Sequence, residues 1–273
     1  MAKGLRDPGG LMAGMVVLLT VASCSTVALT GRQQLNLIPS SEMLSTSTQQ
    51  YDQFMKENPV STDGEQTQRV RRVGARIQAA VEEYARQTGH TKDLDGYAWE
   101  FNLVESKEVN AWCMPGGKVV FYSAIMPVCQ DDNGVAVVMG HEVAHAVAKH
   151  GNERMSQALL VQMGGVALTE ALHSKPQQTQ QLWMTAFGAG AQYGVLLPFG
   201  RSQESEADHL GLIFMAMAGY DPHHAVEFWQ RMSAATGSGG KPPEFMSTHP
   251  SDEKRIAAIQ AELPEALQYY KAR

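Results

Sequence analysis

The sequence predicts an α+β, mostly helical domain with a small β-hairpin beside one buried, histidine-bearing helix. Three features predict it. Apolar residues recur at helical spacing through most of the chain. Strict alternation of apolar and other residues occurs at Tyr97, Trp99, Phe101 and Leu103, ahead of a Pro-Gly-Gly turn. His141-Glu142-Val143-Ala144-His145 stands inside a long apolar run.

The 273 residues are 18% charged and 44% apolar, which suits one globular domain with a large core. A net charge of −6 offers no basic face, so no nucleic-acid partner is expected. The N-terminus has the form of an export signal over residues 1–23. Lys3 and Arg6 precede an apolar run, Leu11 to Ala22, too short for a comfortable membrane span. The run ends in Val21-Ala22-Ser23-Cys24, which resembles the lipobox of bacterial lipoproteins, where the cysteine carries lipid. Acyl chains on Cys24 would tie the protein to a membrane without crossing it. Ser25 resembles outer-membrane sorting, so the expected location is periplasmic, lipid-anchored at the outer membrane of a Gram-negative bacterium.

Residues 24–60 are rich in Ser, Thr and Gln and are expected to form a tether with one short helix, ahead of a folded domain over 61–273. Val70, Val73, Ile77, Val81 and Tyr84 keep helical spacing from Glu65 to Thr88, and Gly89 can end that helix. A strand follows at Tyr97 to Leu103. Val109 to Met114 and Lys118 to Tyr122, flanking Pro115-Gly116-Gly117, form a hairpin. Asn110, Ala111 and Trp112 are candidates for an edge to which an extended peptide adds, because sheet edges bind peptides through their backbone.

The helix through His141 comes next, with Gly151 as its expected stop. Met155 to Leu172 and Gln181 to Leu197 are apolar but short and broken by Gly, Gln or Thr, so they are expected to pack over the site rather than span a membrane. Ser202 to Met217 is a further helix with Gly219 at its end. Asp221-Pro222 starts another, running to about Met232. Residues 236–251 form a loop, and Ser251 can cap a final amphipathic helix through Ile256, Ile259 and Leu263. No internal repeat is visible.

One helical turn of about 3.6 residues brings His141 and His145 onto one face, so both rings can address a single ion. Glu142 lies about 100° round from His141, where it can take a proton from a water on that ion. Burying these three polar groups in an apolar helix is costly unless they are paired or bind metal. The motif supplies two ligands, and catalytic zinc generally takes three and a water. His150 is five residues beyond His145 and on a continuous helix points away from the pair. His90, His173, His209, His223 and His224 lie in loop-like or solvated surroundings. Glu204 and Asp208 are four apart on an apolar helix, so one carboxylate could bind the ion while the other accepts the N–H of a ligand histidine. Glu206 is expected on the solvated face.

His141-Glu142-x-x-His145 together with Arg201-Ser202-Gln203-Glu204-Ser205-Glu206-Ala207-Asp208 resembles the M48 family of metallopeptidases, whose second motif is E-x-x-x-D. Asn110 to Gly117, Thr30-Gly31-Arg32-Gln33-Gln34-Leu35, and Thr248-His249-Pro250 followed by Arg255 are similar to its Oma1-like periplasmic lipoprotein branch. The resemblance implies a zincin-like metalloprotease fold binding one Zn2+ per chain. Glu204 would be the third ligand, Asp208 the partner of a ligand histidine, and Glu142 the base. Long transmembrane helices found in other branches are missing, so their substrates are not implied. The function expected is a zinc endopeptidase acting on exported, misfolded or misassembled envelope polypeptides. The alternative is a zinc-bearing chaperone or a factor working with the outer-membrane assembly machinery, with latent peptidase activity.

Cys113 and Cys129 could pair if oxidised; neither is an expected nucleophile. His249, in a Gly- and Pro-rich loop, has two possible roles beyond a surface histidine. It could compete for the open metal position, or donate to the oxyanion on the substrate carbonyl.

Overall fold

A computed structural model gives the structure of residues 24–192, 196–236, 243–250 and 253–271. The export signal (1–23), part of the Gly- and Pro-rich loop (237–242) and the Ser251 cap lie outside the described residues. The fold is mostly helical, as expected, around one three-stranded sheet, with a separate two-stranded pair at the start of the described residues.

Residues 24–60, expected as a tether with one short helix, are largely ordered against the body. β1 (Cys24–Thr26) and β2 (Gln33–Leu35) form an antiparallel pair, with Cys24 opposite Leu35. Val27 in the connecting turn joins the main core. α1 (Ser40–Glu57) is 18 residues long. Its Tyr51 and Phe54 meet Trp112 edge-on, closing a second small core with Val104 and Val120.

α2 (Gly64–Thr88) starts where Asp63 accepts the N–H of Gln66 and stops at Gly89, whose φ of 78° is left-handed. The apolar stripe expected at Val70, Val73, Ile77, Val81 and Tyr84 is buried. The sheet contains β3 (Glu100–Val104), β4 (Ala111–Met114) and β5 (Lys118–Tyr122) in the order β3-β5-β4. β4 and β5 form the expected antiparallel hairpin, whereas β3 runs parallel to β5. The strand is shorter than the alternation suggested: Tyr97 and Trp99 precede it and pack as aromatic neighbours. β4 is an edge strand of this sheet and lies against the histidine-bearing helix.

After the short α3 (Met126–Cys129), α4 (Asp132–Val147) begins with Asp131 accepting the N–H of Gly134, and it is buried from Gly134 to Val147. It stops at Lys149 rather than at Gly151. Lys149 takes a left-handed φ of 61°, a conformation that costs an L-residue roughly 1–2 kcal/mol. Its Nζ lies 2.7 Å from Asp93, which helps hold the turn.

α5 (His150–Leu172) and α6 (Gln177–Ala191) pack on each other. Only the first turns of α5 are buried. Met163, Val166, Leu182 and Trp183 are exposed, so this pair projects from the body instead of covering the site. No helix among the described residues is long and apolar enough to cross a membrane.

α7 (Leu197–Met217) is followed by left-handed Gly219. Where α4 and α7 cross, a Cβ on Gly140 would stand 2.7 Å from the Gly211 carbonyl oxygen, and one on Gly211 would stand 2.9 Å from the His141 nitrogen. Two glycines therefore let the backbones touch, which brings Glu204 and Asp208 within reach of the histidines. α8 (His224–Thr236), α9 (Glu244–Thr248) and α10 (Glu253–Tyr269) close the domain. The segment read as loop thus contains a short helix, which carries His249 at its C-terminal end.

Candidate metal centre

α4 presents His141, Glu142 and His145 within one turn, all buried by the helices around it. α7 brings Glu204 and Asp208, and the end of α9 brings His249, which is also buried. His145 Nε2 stands 3.1 Å from His141 Nε2, and Glu204 oxygens stand 3.4 Å from His141 Nε2 and 3.3 Å from His145 Nε2. His249 Nδ1 is 3.1 Å from His141 Nε2 and 3.0 Å from Glu204 Oε2. These four side chains form a group that could hold a metal ion.

The donors fit zinc in chemistry and in spacing. Three imidazole nitrogens and one carboxylate oxygen are ligands zinc takes, and donors 2.0–2.1 Å from a tetrahedral ion stand roughly 3.3–3.4 Å apart. Five of the six separations, 3.0–3.4 Å, fall at or slightly under that value, and all four donor atoms lie within 4.8 Å of one another. Glu142 adds a second sign. Among the described residues its Oε1 is buried without a hydrogen bond, although His249 Nε2 approaches it to 3.3 Å. An orphaned carboxylate oxygen beside a donor cluster is an acceptor waiting for a proton.

The electrostatics follow the geometry. Burial works against a charged His141, but hydrogen bonds to Asp208 and Glu204 outweigh it and push its pKa up to about 9. Burial holds His145 well below the usual histidine value and raises Glu142. Burial also opposes ionisation of Glu204, yet hydrogen bonds with His141, His145 and His249 hold it far below the carboxylate range. For Asp208 the Arg255 charge, and then His141, overcome burial and lower the pKa.

Asp208 lies 3.0 Å from His141 Nδ1, the far side of the ring from the cluster. Arg255 of α10 grips Asp208 with Nε and a terminal nitrogen, both at 2.8 Å, and stacks 3.7 Å over the Trp229 ring. Its Nη1 is also 3.2 Å from Glu204.

Two sequence expectations change here. Glu206 is buried, bonded to Arg32 and His150. His150 is fully buried, its Nδ1 2.8 Å from His145 Nδ1. The physical reason is the left-handed Lys149, which breaks the helix and turns His150 back toward the pair it was expected to face away from. A positive φ at lysine has no signature in the sequence. Among the other histidines, His223 is exposed beside Asp221, and none joins the cluster.

Ala111 and Trp112 open β4, and Asn110 immediately precedes it. Trp112 packs its ring against Tyr51 and Phe54 of α1. Cys113 and Cys129 are free thiols. Burial pushes Cys129 up to about 12 and Cys113 well above its ordinary value, which suits packing rather than nucleophilic attack.

The chain is similar in sequence to known proteins. The chain is 39% identical over 168 residues to the mitochondrial metalloendopeptidase OMA1 of Schizosaccharomyces pombe, covering 62% of this chain and 48% of that protein. It is 29% identical over 248 residues to the mitochondrial metalloendopeptidase OMA1 of Homo sapiens, covering 88% and 46%. The β-barrel assembly-enhancing protease of Escherichia coli matches at 28% over 163 residues, covering 58% and 33%. The matches to the OMA1 proteins thus span about half the length of those relatives. These relatives overturn the expected location. Mitochondrial proteins match at higher identity or over more of the chain than the bacterial one, which points away from a Gram-negative outer membrane. The expected location rested on the charged and apolar residues before Cys24, a pattern that does not encode which membrane it addresses. The residues that carry it best, 1–23, lie outside the described ones. The resemblance to the family itself holds, since residues 72–263 match its profile from α2 through both site-bearing helices to α10, and the chain belongs to peptidase family M48.

Proposed function

We infer that the protein is a zinc-dependent endopeptidase in which His141, His145 and Glu204 hold the ion and Glu142 is the base. The observation that carries this is the buried Oε1 of Glu142, without a hydrogen bond among the described residues, beside four converging donors. Bound there, zinc would acidify a coordinated water and polarise the scissile carbonyl. Glu142 accepts the proton of the attacking water and hands it to the leaving amine. Asp208, gripped by Arg255, fixes His141 by accepting from its Nδ1, so that Nε2 is left to bind. The relatives named above are a metalloendopeptidase and a protease, which supports the same chemistry.

Polypeptide is the substrate, and the edge of β4 supports an extended one, laid beside Asn110 to Trp112 through backbone hydrogen bonds. Misfolded or misassembled chains expose such segments. A chaperone with the same groove would have no use for Glu142. Lipid on Cys24 is also part of the proposal; it would attach a membrane to β1, the strand paired with β2 just beyond Arg32.

The test is metal content set beside hydrolysis. The purified full chain should carry one zinc and cleave an unfolded reporter polypeptide. Exhaustive chelation should abolish both, and added zinc should restore both. Cleavage that survives complete loss of metal would overturn the reading.

A further inference from the structure

Resting on the metal-centre reading above, we propose that His150 is a positioning residue for His145, and that Arg32 acts through it. The N-terminal hairpin then sets how tightly the site holds its cation.

His145 Nε2 faces the donor cluster, so its lone pair is the one a cation takes. The proton of the neutral ring stays on Nδ1, and that N–H needs an acceptor. His150 Nδ1 is 2.8 Å away. By accepting there, His150 keeps its own proton on Nε2, which donates to Glu206 Oε2 at 2.8 Å. The direction of each bond is fixed in turn, from His145 outward to a carboxylate.

Glu206 is held from its other side by the N-terminal hairpin. Arg32 Nε donates to the same oxygen at 2.7 Å, and the Thr30 hydroxyl donates to the second oxygen. The Arg32 guanidinium also spans Glu153, with contacts of 3.0 and 2.7 Å. Gln203 Nε2 adds a bond to Glu153 at 2.8 Å. Glu153 and Glu206 are both buried, so Arg32 keeps two carboxylates from repelling each other at close quarters.

The two ligand histidines are thus supported differently. His141 reaches its carboxylate, Asp208, directly at 3.0 Å. His145 reaches Glu206 only through His150. A plain core ion pair would not place an imidazole between a carboxylate and the far nitrogen of a ligand ring. Arg32 closes this relay from outside residues 72–263, in the Thr30–Leu35 stretch that resembles the Oma1-like branch.

The test uses the full chain. His150→Leu removes the acceptor, while His150→Gln keeps one, with a carbonyl for His145 and an N–H for Glu206. Zinc affinity, read by competition with a chromophoric chelator, should weaken about 10- to 100-fold in His150→Leu and return to within about threefold in His150→Gln. The visible spectrum of the cobalt-substituted protein should shift in the first variant and return in the second. Arg32→Gln should weaken affinity about 3- to 10-fold and carries the test if His150→Leu does not fold. Native affinity in Arg32→Gln, or equal weakening in His150→Leu and His150→Gln, overturns the relay. His141→Ala separates the two inferences: zinc retained at native affinity there overturns the metal centre itself, while zinc lost there leaves the relay to stand or fall on its own variants.

Discussion

Glu142 Oε1 and His249 Nε2 face each other at 3.3 Å, and the other nitrogen of the same imidazole stands 3.0 Å from Glu204. One side chain thus touches the base and fills a donor position that hydrolysis needs open. Its helix, α9, is pinned where the Phe245 N–H donates to the Val109 carbonyl at 3.1 Å, two residues ahead of β4. A peptide added to β4 would lie beside that helix. Of the two roles the sequence left for His249, this geometry supports restraint. His249→Ala should therefore raise the initial cleavage rate about 3- to 10-fold, as when the competent fraction grows from a tenth or a third to nearly all. Self-digestion on storage should accompany it. A fall in kcat with zinc content intact would assign His249 to the transition state instead.

Glu142→Gln should retain zinc and fold, because the amide fills the same buried space. Hydrolysis should fall about 10²- to 10⁴-fold, since the amide cannot accept the proton. Matched zinc analysis and single-turnover cleavage check this together, and near-native turnover would remove Glu142 as the base.

His141→Ala, His145→Ala and Glu204→Ala should each lower zinc occupancy after dialysis against a weak chelator. Glu204→Ala is the most informative, because His249 already stands at a fourth donor position and could partly take its place. Zinc content should fall in all three, with the smallest loss where His249 compensates. Full occupancy in Glu204→Ala would remove it from the ligand set.

What the sequence showed and what it hid divide along helix continuity. His141 with His145, and Glu204 with Asp208, were found because each pair lies four residues apart within an unbroken helix, where spacing alone fixes the shared face. The β4–β5 hairpin was found for the same local reason, its Pro-Gly-Gly turn. His150 was misplaced because one left-handed lysine lies between it and the motif. Glu206 was assigned to solvent because its partners, Arg32 and His150, are 174 and 56 residues away. No local pattern reports a contact of that range. The close crossing at Gly140 and Gly211 was equally invisible, since each glycine has meaning only opposite the other.

The last prediction concerns stability and pH. Glu262 of α10 is partly buried, with Oε2 lacking a hydrogen bond among the described residues. Burial, then the negative charges of Asp208 and Glu265, push its pKa up to about 7. His209 of α7 stands 3.8 Å from it and 3.8 Å from Glu265, too far for a strong pair. An unfolded glutamate titrates near about 4.3. The folded state therefore binds the proton more tightly, and this contribution is fully present below that value and lost as pH rises through about 7. Glu262→Gln removes the ionisation. The full shift corresponds to about 3–4 kcal/mol, which partial solvent access reduces to about 1–2 kcal/mol. For a chain of this size that is about 3–6 °C in Tm. The variant should melt higher than the native protein at pH 8 and together with it only below the unfolded value, at about pH 3.5. An equal Tm at both pH values would show that Glu262 is ionised in the folded state at no cost.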